Sequence, residues 1–188
     1  MRIISGTFKG KNILDPKDIK TRPLKDLTKE SIFNIIIHSN KFEINFKNSK
    51  ILDLFSGVGS FGIECLSRGV KNVTFIENYA GVLPILKKNL LNLKVIKNYE
   101  IIEKDINNGK VFEIFEKEFD VIFMDPPYKD KNLNILLKNI IDRKILNKNG
   151  IIVIHRHKNE QDIIPKKFRI VEEKKYGLSK IIFLSVLN

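Results

Sequence analysis

The chain has 188 residues, enough for one ordinary domain with room for no more than a small appendage. A hydrophobic fraction of 43% supports a packed core and excludes wholesale disorder, and no apolar run is long enough to span a bilayer. The formal charge of +12 favours a polyanionic partner, most simply nucleic acid, although only six of the 34 cationic residues are Arg, and an AT-rich genome also encodes such a Lys-, Asn- and Ile-rich surface.

The opening, MRIISGTFKGKNIL, lacks the long apolar stretch of a secretory leader, and Cys65 is the single cysteine, so both features fit a cytoplasmic protein. Residues 1–14 read as a short hairpin turning through Gly6 and Gly10, rich in cations, and Asp26 to His38 reads as a helix with Leu27, Ile32, Phe33, Ile35 and Ile36 on one side. From Lys50 onward, short apolar strands alternate with helices. KILDL (50–54) leads to a helix ending near Arg68, and NVTFIE (72–77) to one over 80–92. YEIIEKD (99–105) precedes a helix near 108–116, FDVIFMD (119–125) one near 132–142, and GIIVIH (150–155) is the fifth strand. Continuous apolar strands alternating with helices predict a parallel α/β sheet buried on both faces. FRIVEEKKY (168–176) and SKIIFLSVL (179–187) are separated by too few residues for a parallel crossover, so they predict an antiparallel hairpin closing one edge. The expected architecture is a Rossmann-like, mostly parallel seven-stranded sheet. Residues 1–45 form a basic extension of the same domain and 46–188 form its main body.

The turn DLFSGVGSFGIE (53–64) places Phe55, Ser56, Gly57 and Gly59 between a strand and a helix, where glycines let a ligand approach the backbone. A bare G-x-G-x-x-G also suits a dinucleotide fold. Glu77, followed by Asn78, closes the second strand where an acid can hold ribose hydroxyls. Asp53 before the glycines would repel a pyrophosphate, yet it suits the amino group of a methionine moiety. Asp105, ending the third strand, can meet an adenine amino group with Ile106 against the ring. Acids at four strand ends thus line the ligand-binding rim of an open α/β sheet.

The fourth strand stops in Asp125-Pro126-Pro127-Tyr128. Two prolines cannot extend a sheet, and a simple turn accounts for neither the acid nor the ring. The tetrapeptide resembles the catalytic motif of S-adenosylmethionine-dependent methyltransferases that act on an exocyclic amino group. Such a nitrogen is a poor nucleophile because its lone pair is delocalised into the base. Acceptors from the Asp125 carboxylate and the Pro126 carbonyl would hold its hydrogens and aim the lone pair, and Asp125 can also take the released proton. The prolines stiffen the loop and Tyr128 offers a stacking face for an extruded base.

Taken together, these motifs resemble the bacterial 16S rRNA guanine-N2 methyltransferases of the RsmD type. The resemblance runs from the opening MRIISGTFKGK through Thr21-Arg22-Pro23, the helix carrying Glu30, Phe33 and Asn34, LDLFSGVGSFGIECLSRG (52–69) and DPPY to YGLSKIIF (176–183). It implies methyl transfer from S-adenosylmethionine to guanine N2 in the 16S rRNA of the small subunit; the mechanism needs no metal, and a monomer is the default expectation. Arg22 and Lys129 are the candidates for RNA contact. The chain departs from the family at Leu24, Leu27, Thr28 and Lys29. It also departs at the fifth strand's end, where His155-Arg156-His157 replaces the usual Glu; these histidines read as surface or RNA-facing residues. The alternatives are a DNA adenine-N6 methyltransferase, disfavoured because no insertion could read a groove, and a non-catalytic RNA-binding assembly factor on the same fold. A protein glutamine methyltransferase would carry Asn at the first motif position, and nothing else in the chain suggests hydride chemistry.

Overall fold

The structure, a computed structural model, describes residues 1–16, 24–94, 96–115, 118–127 and 130–187. Its centre is a seven-stranded sheet: β1 (Lys50–Leu54), β2 (Asn72–Ile76), β3 (Tyr99–Ile102), β4 (Phe119–Met124), β5 (Leu146–His157), β6 (Phe168–Tyr176) and β7 (Ser179–Val186). The spatial order is β3-β2-β1-β4-β5-β7-β6; β1 to β5 run parallel, and β7 lies antiparallel between β5 and β6. The expected parallel sheet with a closing hairpin is therefore present. The order reverses between β1 and β4, so the carboxyl ends of these two strands open the crevice where ligands bind in such sheets.

Among the described residues, four α-helices accompany the sheet: α1 (Asp26–His38), α2 (Ser60–Ser67), α3 (Leu83–Leu91) and α4 (Leu133–Asp142). Because alternate strand residues point to opposite faces, the sheet feeds two separate cores. Ile51, Val73, Phe75, Val121 and Phe123 pack with residues of α1, α2 and α3. Leu52, Leu54, Ile122, Met124 and Ile152 pack with α4 and with Val111 and Phe112. The latter two lie in a 3-10 helix, Gly109–Ile114, where sequence periodicity suggests an α-helix. The element is only six residues long, in the short range where such tight helices occur.

Residues 1–13 form a looser hairpin than expected, held by one isolated bridge, Arg2 to Asn12, rather than by regular strands. Ile3, Phe8 and Ile13 nevertheless join the α1–α2–α3 core. Gly6 (φ +83°) lies so close to α2 that an added Cβ would come within 1.9 Å of the Ser67 carbonyl oxygen, a contact only glycine allows. The buried Glu64 carboxylate accepts the N–H groups of Ile4 (2.7 Å) and Ser5 (2.9 Å) and pairs with Arg68 at 2.8 Å. Lys29, fully buried, approaches the same carboxylate at 3.8 Å and donates to the Arg2 carbonyl and the Ser60 hydroxyl. Burial holds its pKa below the ordinary lysine value, against the charges of Glu64 and Asp26. Two departures from the family pattern thus have different fates: Lys29 is a strut between extension and α2, whereas Leu27 is 81% exposed. Among the described residues, no helix is long and apolar enough to cross a membrane.

Candidate active site

The Gly-rich turn is shaped from both sides. Phe55 takes φ 60°, unusual for an aromatic residue, and is followed by Gly57 (φ 56°) and Gly59 (φ 84°). The Ser56 hydroxyl donates to the Asp53 carbonyl at 2.6 Å, and the Ser56 N–H to Ile76 O at 3.0 Å, tying the turn to the ends of β1 and β2. Phe61, one residue into α2, stacks on Phe123 of β4 with ring centroids 4.1 Å apart, seating the helix N-terminus on the sheet. At Gly59 an added Cβ would meet the Leu86 side chain at 2.5 Å, so α3 packs directly against the turn.

Glu77 organises this turn from the opposite strand. One carboxylate oxygen accepts Gly57 N–H at 2.7 Å, and the other accepts the N–H groups of Asn78 (2.9 Å) and Tyr79 (2.8 Å). Its side chain also lines a cleft of about 140 Å³ with Phe55, Asn78, Asp105, Ile106 and Pro127. Six of the sequence-predicted residues therefore share one cavity. Glu77→Ala removes the carboxylate that accepts three backbone hydrogen bonds in that wall, and we expect the affinity for S-adenosylhomocysteine to fall by about tenfold or more, each lost bond contributing on the order of 1 kcal/mol. Calorimetric titration giving an unchanged dissociation constant would remove Glu77 from the site.

Two acids sit differently from expectation. Asp105 does not end β3, which stops at Ile102; it lies in the following turn, exposed, accepting Asn107 N–H at 2.9 Å. Asp53 lies within β1 and is 1% exposed, with one oxygen accepting Gly62 N–H at 3.0 Å. Burial pushes its pKa well above the ordinary carboxylate value, the Gly62 bond opposes this, and the charges of Asp125 and Glu77 add to it. A buried acid in this condition is poised to gain from a cation.

Asp125 follows β4 directly, its N–H reaching Leu54 O at 3.4 Å, and Pro126 is buried while Pro127 is exposed. Arg22, Tyr128 and Lys129, three further sequence candidates, lie outside the described residues. Two residues that sequence reasoning did not place in the site are here. His155 is not a surface or RNA-facing residue: it is 8% exposed, and its Nδ1 hydrogen-bonds to Asp125 Oδ1 at 2.8 Å. The register explains this, because β5 pairs with β4 as Ile154 to Met124, which sets the next residues, His155 and Asp125, side by side. Arg156 is 1% exposed, engages Asp162 at 2.8 Å, and donates to the carbonyls of Pro127 (3.2 Å) and Asp130 (3.0 Å). One guanidinium thus grips the loop that follows β4 at two points. A second strap closes the cleft rim, where the Asn107 amide donates to the Asp130 carboxylate at 3.2 Å and the Asn132 amide to Asn107 at 3.3 Å. Among the described residues, no group of three or more His, Cys, Asp or Glu is arranged to hold a metal.

An acid-lined cleft beside the Gly-rich turn, at the point where the strand order reverses, defines the Rossmann-like fold of S-adenosylmethionine-dependent methyltransferases. Within that class the chain belongs to the RsmD-type family, whose sequence profile, described as conserved hypothetical protein 95, matches residues 1–185. It is 34% identical over 184 residues to the Bacillus subtilis protein YlbH, covering 96% of each chain. It is 31% identical to the ribosomal RNA small subunit methyltransferase D of Haemophilus influenzae, over 95% of this chain and 90% of that one. The Escherichia coli protein yhhF shares the fold with a TM-score of 0.82 at 24% identity, covering 98% of this chain and 96% of that chain.

Proposed function

We propose that the protein transfers a methyl group from S-adenosylmethionine to the exocyclic N2 of a guanine in small-subunit rRNA. The observation that carries this reading is that one loop serves two purposes: Pro127 lines the acid-walled cleft while Asp125 presents a partly exposed carboxylate at the same strand end. The names of the relatives supply the substrate class, small-subunit rRNA.

The residues present fit the donor. Glu77 and Asp105 are acceptors for ribose hydroxyls and an adenine amino group, Ile106 and Phe55 give apolar walls, and buried Asp53 is the counter-charge for a methionine amino group. Bound there, the donor supplies an electrophilic methyl on a sulfonium. Asp125 and the Pro126 carbonyl hold the guanine amino hydrogens, so the nitrogen lone pair leaves the ring plane and points along one direction. The carboxylate then takes the proton that the amine must lose. Tyr128 stacks on the extruded base, and Arg22 and Lys129, with exposed Arg2, Lys9 and Lys11, meet the RNA backbone.

The test is methyl incorporation from radiolabelled S-adenosylmethionine into small subunits taken from a strain lacking this modification, with naked 16S rRNA and duplex DNA alongside. The expected product on digestion is N2-methylguanosine from the subunit or its rRNA. Label appearing only in DNA would replace this reading with adenine-N6 methylation.

A further inference from the structure

We infer that His155 is a positioning residue for methyl transfer: its Nδ1–H orients the Asp125 carboxylate, and loss of the second imidazole proton switches the His155–Asp125 pair from net neutral to net negative, the faster form. This rests on the reading that Asp125 receives the substrate amine.

The geometry fixes much of the argument. An ionised carboxylate accepts hydrogen bonds only, so the 2.8 Å contact requires the proton on Nδ1. That bond occupies Asp125 Oδ1, and among the described residues no hydrogen bond engages Oδ2. Oδ2 is therefore the atom free to face an incoming amino group, and the side chain is 20% exposed. The other end of the ring is as informative. His155 Nε2 is buried and has no hydrogen-bond partner among the described residues. A protonated Nε2 there is a buried donor without an acceptor, whereas a bare nitrogen leaves only a weakly solvated lone pair.

The surroundings leave Asp125 as the charge that governs the ring. On β7 the register partner of His155 is Ile181, and the next pair along is Arg156 with Lys180. The Arg156 guanidinium is engaged by Asp162, Pro127 and Asp130, and the Lys180 ammonium donates to the Glu160 carbonyl. Burial lowers the imidazole pKa, but the Asp125 charge and hydrogen bond raise it, and the net result lies above the ordinary value of 6.5. The imidazolium therefore persists to higher pH than it would in a free histidine.

Their chemical consequences differ. As the N2–carbon bond forms, the carbon–sulfur bond breaks with its electron pair leaving on sulfur. The nitrogen gains positive charge and then releases one proton to Asp125. An imidazolium beside the carboxylate opposes that developing charge. A neutral imidazole keeps the orienting Nδ1–H and removes the opposing charge. Protons are thus held and released at Nε2 while the hydrogen bond at Nδ1 persists.

The test compares the parent with His155→Asn, whose amide nitrogen occupies a place like that of Nδ1 and donates without titrating, and with His155→Leu, which donates nothing. Single-turnover methylation of small subunits is followed from pH 6 to 9, and the His155 ring resonances are titrated by NMR in the parent and in Asp125→Asn. We expect the parent rate to rise about tenfold through the same pKa that NMR reports for His155, above 6.5 and lowered in Asp125→Asn. His155→Asn should show the high-pH rate at every pH, and His155→Leu a flat, low rate, with the affinity for S-adenosylhomocysteine unchanged in both. Superimposable profiles for parent and His155→Asn, or a ring pKa indifferent to Asp125→Asn, would overturn the inference alone. A parent that methylates neither subunits nor naked 16S rRNA at any pH would instead defeat the proposed function, and this inference with it.

Discussion

Asp125→Ala is expected to lower the methyl-transfer rate constant by about 10³-fold or more while the affinity for S-adenosylmethionine changes little, because in the proposed reaction Asp125 is both the acceptor for the amine and the base for its proton. The structure adds a qualification to the choice of variant. Alanine leaves the buried His155 Nδ1–H without its acceptor, which costs about 1–3 kcal/mol and confounds a pure activity reading. Asp125→Asn keeps an oxygen to accept from His155 and loses the charge alone. Both variants should therefore be inactive or nearly so, with Asp125→Ala also melting earlier than Asp125→Asn. The decisive measurements are a burst assay for the chemical step, calorimetry for cofactor binding and thermal denaturation for the fold. A large loss of cofactor affinity in Asp125→Asn would move Asp125 from the amine to the cofactor. Activity near that of the parent would remove it from the chemistry.

Much of this molecule was legible in its sequence because its signals are local. The apolar run at 50–54 became β1 with the expected limits, that at 119–125 became β4 one residue shorter, and the short link at Gly177 fixed the antiparallel hairpin. Spacing located the Gly-rich turn, Glu77 and the Asp-Pro-Pro loop, since each is a strand end followed by an obligatory turn. Asp53 was harder to judge. Sequence shows an acid before glycines, but not that it is buried and shares its oxygen with Gly62.

The contacts that sequence could not show are those between elements distant in the chain. His155-Arg156-His157 after an apolar strand looks like polar residues emerging into solvent. That reading fails because it treats β5 as isolated. Once β5 is known to lie beside β4 in register, the first residue past Ile154 must face the first past Met124, and the histidine becomes Asp125's partner. A strand order of 4-5 was implicit in the parallel α/β pattern, so a register guess from the aligned apolar runs VIFM (121–124) and IIVI (151–154) was within reach. Arg156 had no such clue. Its role depends on Asp162, six residues on, and on two carbonyls of the loop after β4, none of which forms a recognisable spacing. The Lys29–Glu64 pair likewise joins positions from the extension and α2 that no periodicity connects.

Arg156→Met tests whether that loop is held by design, and we expect it to show two separable defects. The first is stability. Asp162, whose side chain is 6% exposed, loses its ion partner, and breaking a buried pair from one side costs about 3–5 kcal/mol, or roughly 6–20 °C in melting temperature for a chain of this size. The second is rate. With the carbonyls of Pro127 and Asp130 released, the loop that carries Asp125 no longer has one defined position, and a displacement of about 1 Å costs on the order of 10²-fold in turnover. The double variant Arg156→Met/Asp162→Leu separates the two, because it removes both charges and fills the space with apolar groups. It should recover most of the lost stability, as paired buried charges often can be replaced without loss, yet remain slow because nothing grips the loop. Arg156→Lys should lie between, since one ammonium cannot serve the carboxylate and both carbonyls at once. If the double variant regains parental turnover along with its melting temperature, the guanidinium is a structural ion pair and the loop is held by its prolines and the Asn107–Asp130–Asn132 strap alone.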